Sequence, residues 1–146
     1  MSAEAKKNLV RRYIDDLINS GRWDRAGAIL GANFVLHHSS SPDPVIGREA
    51  FCRFAKKFRT SFPDLHATIE DIFTDEDTVI VRVVWSGTHL SHFDNIPPTQ
   101  RAFAIAGTGI YRVKEGVIVE AWAEYDPLEL LSQIAGLGPE HEIPEA

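Results

Sequence analysis

The sequence predicts an α+β domain in which a strongly curved antiparallel sheet wraps around N-terminal helices and encloses an apolar cavity. Three observations predict it. Apolar residues recur at helical spacing through the N-terminal part, the period drops to two over four long segments, and one capped helix follows the last of them. A chain of 146 residues is long enough for one domain with a proper core. Residues 1–138 are read as that domain, and 139–146 as an acidic, flexible tail.

Over residues 3–20 the positions Leu9, Val10, Tyr13, Ile14, Leu17 and Ile18 form one helical stripe, and Gly21 stands where a glycine cap belongs. A shorter helix is expected at 23–30, closed by Gly31. Residues 33–38 read as a short strand, ended by the turn-rich Ser39-Ser-Ser-Pro-Asp-Pro44. Residues 47–62 form the third helix, with Ala50, Phe51, Phe54, Ala55 and Phe58 on its buried side and Pro63 helping to end it. Strands follow at 65–73, 78–89, 101–113 and 117–125, with tight turns at Asp75-Glu-Asp77 and Lys114-Glu-Gly116. The link 90–100 holds Ile96-Pro-Pro-Thr99 and is no central strand. Asp126 as N-cap, Pro127 at the first helical position and Glu129 three residues after the cap open the last helix, which Gly136-Leu-Gly-Pro139 ends.

Composition excludes several classes. A net charge of −6, with no stripe of Lys and Arg, argues against nucleic-acid binding; Lys56, Lys57 and Arg59 read as a solvated helix face. The one cysteine, Cys52, rules out an internal disulfide and a cysteine-based zinc site, and suits a reducing, cytoplasmic setting. It has no obvious base partner and is not read as a nucleophile. No apolar run approaches the roughly 20 residues of a membrane span, and the N-terminus lacks the apolar core of a signal peptide. Neither a glycine-rich phosphate loop nor a Gly-x-Ser-x-Gly elbow is present. His37 and His38 are adjacent in a strand and point to opposite faces, so they cannot easily share an ion; His89 and His92 are a weak metal pair. No metal and no cofactor are expected.

What remains is carboxylate and imidazole chemistry in a pocket. In the last strand Ile118, Glu120, Trp122 and Glu124 share one face, with Asp126 at the exit. An indole among carboxylates suits a ligand cavity better than a packed core. A two-residue Glu115-Gly116 turn would set Gly109 opposite Trp122 and Gly107 opposite Glu124, leaving space beside a carboxylate. A partly desolvated carboxylate has a raised pKa and can take and return a proton near neutrality, which makes Asp126 and Glu124 candidates. Asp126 could equally serve only as a helix cap, and Glu124 could pair with Arg82 or Arg112. Glu120 reads as solvated. His37 and His89 are either hydrogen-bonded strand-end histidines or groups that orient substrate. His66, His92 and His141 read as surface residues. Trp85, Trp122, Phe34 and Tyr111 are core or substrate walls.

These residues carry a resemblance. Gly21-Arg-Trp-Asp24, Asn33-Phe-Val-Leu-His37, Gly47-Arg-Glu-Ala-Phe51, Phe62-Pro-Asp-Leu65, Trp85-Ser-Gly-Thr-His89, Phe93-Asp-Asn-Ile-Pro-Pro-Thr99, Ile110-Tyr-Arg112 and Glu120-Ala-Trp122 through Asp126 come in order along nearly the whole chain. Together they resemble the SnoaL-like polyketide cyclases of the nuclear transport factor 2-like superfamily. The resemblance implies a cone-shaped α+β barrel around a deep apolar pocket, a homodimer, and cofactor-independent acid/base ring closure of a carbonyl compound by intramolecular aldol condensation, or a related isomerisation. It places the acid/base on Asp126, or Glu124 if the alignment slips, with His37 and His89 in the pocket wall. Trp122, Trp85, Phe34, Tyr111, Phe54 and Phe58 would bind a hydrophobic or polycyclic substrate. Asn95 and Gln100 depart from the family's glycines around Ile-Pro-Pro-Thr, which points to a stiffer, more polar mouth. The alternatives are an epoxide or ester hydrolase in the same pocket, and a non-catalytic ligand-binding or dimerisation module.

Overall fold

Ser2 opens the first helix, its hydroxyl accepting the Ala5 amide at 3.0 Å. In this computed structural model, which describes residues 1–136, the helix (α1, Ala3–Arg12) does not continue as expected to residue 20. It widens into a π-helical turn over Tyr13–Ile18, and Asn19 closes it by donating its amide to Ile14 O at 2.8 Å. Asn19 then acts as a piece of strand. Its side chain donates to Ala67 O (3.0 Å) and accepts from Ala67 N (2.7 Å), tying the helix end to the sheet. A 3-10 turn, Trp23–Arg25, and the short α2, Ala26–Ile29, lead into the sheet. The tail expected at 139–146 lies outside the described residues, as does His141.

Six strands form one sheet: β1 (Leu30–His38), β2 (Ser41–Ile46), β3 (His66–Asp75), β4 (Thr78–Thr88), β5 (Ala102–Lys114) and β6 (Val117–Tyr125), in the order β2-β1-β6-β5-β4-β3. Helix α3 (Arg48–Ser61) separates β2 from β3, and α4 (Pro127–Ala135) follows β6. This is the expected α+β architecture, with two corrections to the sheet. It is mixed rather than wholly antiparallel, because β1 pairs with β6 in parallel. Those strands are linked through most of the chain and not by a hairpin, so no turn forces them antiparallel. The segment read only as a turn also forms β2, pairing Leu36 with Val45. Pro42 and Pro44 are tolerated there because β2 is an edge strand, where a missing N–H costs no ladder bond.

The β5–β6 register differs from the expected one by a single residue. Lys114 pairs with Val117 and Val113 with Ile118, as a two-residue turn requires, but Arg112 then pairs with Glu120. The extra residue is a bulge at Val119. Beyond it every pair is shifted, so Gly109 faces Ala123, Gly107 faces Tyr125, and Trp122 faces Ile110. Side chains change faces with them.

The core lies between the inner face of the sheet and the helices. One cluster gathers Leu9, Val10, Tyr13, Ile14 and Leu17 with Phe34, Phe51, Val79, Val81 and Tyr111. A second joins Phe62, Leu65, Phe103 and Ile105 to Leu130 and Ile134 of α4. Past the end of β6, the edge of β5 is covered by Gln133, whose amide donates to Ala104 O (3.1 Å) and accepts from Ala104 N (2.8 Å). Among the described residues no helix is long and apolar enough to cross a membrane.

Candidate active site

Alternation along the strands decides what faces inward. On β1 the buried positions Phe34 and Leu36 share a face with His38. On β5 it is Phe103, Ile105, Gly109, Tyr111 and Val113, and on β6, past the bulge, Ala121 and the positions in phase with it, Ala123 and Tyr125. Between this surface and the helices is a partly enclosed cavity. Tyr13, Ile14 and Ile18 of the π-helical turn line it with Phe51, Phe54, Ala55 and Phe58 of α3. Leu36, His38, Trp85, Ile105, Tyr111, Ala121, Ala123 and Tyr125 complete most of the sheet side, and Arg59 and Leu130 reach its border. Such a lining, apolar with few polar groups, is what small-molecule sites have.

The two glycines of β5 serve this wall, though not as expected. A Cβ on Gly109 would stand 2.7 Å from Tyr111 Oη, and one on Gly107 would stand 2.8 Å from the Glu124 carbonyl oxygen and 3.2 Å from Trp85 Cζ3. The space they leave is taken by aromatic rings and, at Gly107, by the main chain of β6, and is not held open beside a carboxylate.

Among the cavity-lining residues described, His38 is the one group whose ordinary pKa lies near neutrality. Its ring packs against Phe54 with centroids 4.8 Å apart, and its buried Nδ1 has no hydrogen-bond partner among the described residues. Burial lowers its pKa from the usual 6.5, so the imidazole is neutral at pH 7 and can accept a proton. Burial, with the neighbouring Tyr111 and Cys52, holds the Tyr13 phenol well above its ordinary value. Burial also raises Tyr111 and Tyr125. The phenols stay protonated and can act as donors. Tyr125 hydrogen-bonds Ser40 across the end of β6.

The expected catalytic residues are not brought together here. His37 lies on the opposite, outer face: Nε2 is 2.7 Å from Glu120 Oε2, and the ring stacks on Trp122 at 5.2 Å. Arg112 donates to Glu120 Oε1 at 2.8 Å and covers the Trp122 ring at 5.3 Å. Glu120, expected to be solvated, is thus the carboxylate paired with Arg112. Trp122 borders the cavity, but its indole belongs to this outer stack, so the strand itself is what it contributes to the wall. Glu124 is exposed and accepts from Ser39 Oγ at 3.1 Å. Arg82, its other suggested partner, donates instead to Asp71 at 2.7 Å.

Asp126 is exposed and caps α4, its Oδ1 accepting from Leu128 N (3.0 Å) and Glu129 N (3.3 Å). It is not among the residues lining the cavity. Asp126→Ala is expected to cost about 1 kcal/mol in urea unfolding and Asp126→Asn only a small part of that.

His89 is fully buried, but in the second core and not in the cavity wall. Its Nδ1 accepts the Thr99 amide at 3.2 Å, which assigns the ring proton to Nε2. Its ring packs 5.7 Å from Phe62. Phe34 is fully buried against Phe51 (5.3 Å) behind the cavity and does not line it. Phe54, Phe58, Trp85 and Tyr111 do line it. No group of three or more possible metal ligands occurs among the described residues. Sequence reasoning missed His38, Tyr13 and Tyr125. The signal for His38 was present, since it shares strand parity with Phe34 while His37 does not.

Comparison with known proteins agrees with this architecture. The family model for SnoaL-like polyketide cyclases matches residues 8–134. IdmH of Streptomyces antibioticus, a candidate polyketide cyclase, is 28% identical, with a TM-score of 0.78 over 89% of this chain and 98% of its own. A candidate SnoaL-like polyketide cyclase of Jannaschia sp. CCS1 shares the fold at a TM-score of 0.85 and 20% identity, over 91% of this chain and 93% of its own. So does AclR of Streptomyces galilaeus, a candidate hydroxylase, at 0.79 and 20% identity, over 93% of this chain and 99% of its own. A shared fold does not by itself fix a reaction. No match was found among curated proteins. A family match that spans both the helices and every strand of the sheet settles the affiliation: the chain belongs to the SnoaL-like polyketide cyclase family.

Proposed function

We propose that this protein is a cofactor-independent cyclase, or a related isomerase, acting by proton transfer on a carbonyl-containing, polyketide-like small molecule, with His38 as the acid/base. The observation that carries the reading is an imidazole that burial keeps neutral, with no hydrogen bond to its Nδ1, in the wall of a largely apolar aromatic cavity. The neutral ring removes a proton from the carbon beside a carbonyl, and the electron pair moves onto that oxygen as an enolate. The enolate carbon then attacks a second carbonyl of the same molecule, forming the new carbon–carbon bond. The imidazolium returns its proton to the resulting alkoxide, so no oxidant, reductant or metal enters the balance. Phe54, Phe58 and Trp85 hold the substrate, and family membership together with IdmH supports the substrate class.

We place the proton on His38 rather than on Asp126 or Glu124 because both carboxylates are exposed and bonded elsewhere. Asp126→Asn tests that choice: it keeps the cap and removes the acid, and turnover is expected to persist. For the same reason, hydrolysis by carboxylate-activated water is not favoured, since no carboxylate lines the cavity among the described residues. The direct test is deuterium incorporation into 2-tetralone in D₂O, followed by NMR. Exchange at the activated methylene above the protein-free rate supports the reading. Binding without accelerated exchange would leave a ligand carrier.

The outer face supports a homodimer as the working form. Phe73, Ile80, Ile110, Trp122 and His37 make a row across five strands, and Phe73 is 58% exposed. Phe73→Glu is expected to turn a dimer into monomers in light scattering. A monomeric wild-type protein would contradict this.

A further inference from the structure

Cross-strand register places the cavity's polar groups in two neighbouring inner rows. One row runs Leu36, Ala121, Tyr111; the next runs His38, Ala123, Gly109. Tyr111 does not stay in its own row. Its hydroxyl lies over Gly109, since a Cβ there would come within 2.7 Å of Oη. The hydroxyl therefore leans into the row that holds His38. Between that hydroxyl, seated over Gly109, and His38 the row holds only Ala123; His38 and Gly109 are two strand spacings apart, about 10 Å between main chains. Tyr13 packs edge-on against Tyr111 with centroids 5.1 Å apart, and it enters from the π-helical turn, a distortion frequent at functional sites.

We propose that Tyr111, seconded by Tyr13, forms an oxyanion-binding subsite that faces His38 across the small side chain of Ala123. The ligand class is an aromatic or polycyclic ketone whose carbonyl oxygen lies at the phenols while its acidic C–H faces the imidazole. Phenols buried this far keep their protons when a neighbouring oxygen becomes an anion. They donate hydrogen bonds to the enolate without transferring a proton, and such bonds strengthen as charge develops. The subsite rests on the cyclase reading above, but it makes a binding prediction that needs no turnover.

The test uses two probes of nearly equal shape, pentafluorophenol, which is ionised at neutral pH, and hexafluorobenzene, followed by ¹⁹F NMR titration. The wild-type protein is expected to bind both and to favour the phenolate. Tyr111→Phe and Tyr13→Phe, each removing one oxygen atom, are expected to weaken phenolate binding, with Tyr111→Phe costing about tenfold or more. Hexafluorobenzene affinity should stay within about twofold, since no hydrogen bond to it is lost. Gly109→Ala, whose methyl group would collide with the Tyr111 hydroxyl, should reproduce the phenolate loss with both phenols intact. Phenolate affinity unchanged in the tyrosine variants, or both probes weakened equally, would overturn the subsite. Failure of hexafluorobenzene to bind the wild-type protein would instead overturn the open-cavity reading, and the subsite with it.

Discussion

His38→Gln is expected to slow deuterium exchange into bound 2-tetralone by about 10²–10⁴-fold, the range that general acid–base catalysis supplies. Glutamine is similar in size and keeps a polar group at the site, so affinity for the ketone should change little. The loss should fall on the chemical step. The pH profile gives a second signature. Because burial lowers the His38 pKa below 6.5, the neutral, proton-accepting form already dominates at pH 7. The rate should be flat there and fall only as the solution becomes more acidic. The same shift acts on stability. An imidazole whose folded-state pKa is depressed contributes stability above its unfolded value, and that contribution is lost as pH falls through the folded one. His37→Gln, which alters only the outer stack with Glu120 and Trp122, should leave the exchange rate within a few-fold.

Phe62→Ala is expected to cost about 3–5 kcal/mol in urea or thermal unfolding, a large part of the roughly 5–15 kcal/mol that holds a domain together. The side chain is fully buried and joins the second core to the cavity. Its ring meets Phe103 at 4.9 Å, Phe93 at 5.2 Å, Phe58 at 5.4 Å and His89 at 5.7 Å. Removing it leaves a void that four rings on three different segments cannot jointly close. The loss should reach the 90–100 connection as well, because Phe93 anchors it on Phe62 and Phe58. Hydrogen exchange at the Leu90 amide, which donates to Ser61 O at 3.0 Å, should quicken in the variant. Phe73→Ala, at an exposed position, should change stability by less than about 0.5 kcal/mol in the monomer. A Phe62→Ala protein as stable as the parent would mean that the second core is dispensable.

Periodicity and caps made much of the fold legible in the sequence. The stripe is buried from Leu9 to Leu17 as its spacing required, and Ile18 partly so, although the backbone beneath it changes from α to π at Tyr13. Asp126, Pro127 and Glu129 announced a helix start, and the cap is formed by Asp126. The edge strand β2 was hidden because prolines are local signals, whereas their tolerance depends on where the strand lies in the sheet. The parallel β1–β6 pair is likewise a property of the assembled sheet, written in neither strand alone.

The site was less legible, for two physical reasons. The bulge at Val119 moves every later residue of β6 by one, carrying Trp122 and Glu124 onto the face away from the cavity. Nothing local in Val117-Ile-Val-Glu120 signals an extra residue, so a regular ladder is the natural expectation and gives the wrong face. The histidine was readable. Phe34, Leu36 and His38 are in phase, and choosing Phe34 as an inward residue already implied His38 rather than His37. Tyr13 and Tyr111 meet only after the first helix and the fifth strand pack together, so no local pattern joins them.

The role of His38 is tested most simply by an NMR pH titration of the histidine ring protons, with and without hexafluorobenzene. His38 is expected to titrate below the ordinary histidine value of 6.5, and its resonances are expected to shift when the guest binds while those of His37 do not. A His38 that titrates at the ordinary value and ignores the guest would contradict the central claim and leave the cavity without its acid/base.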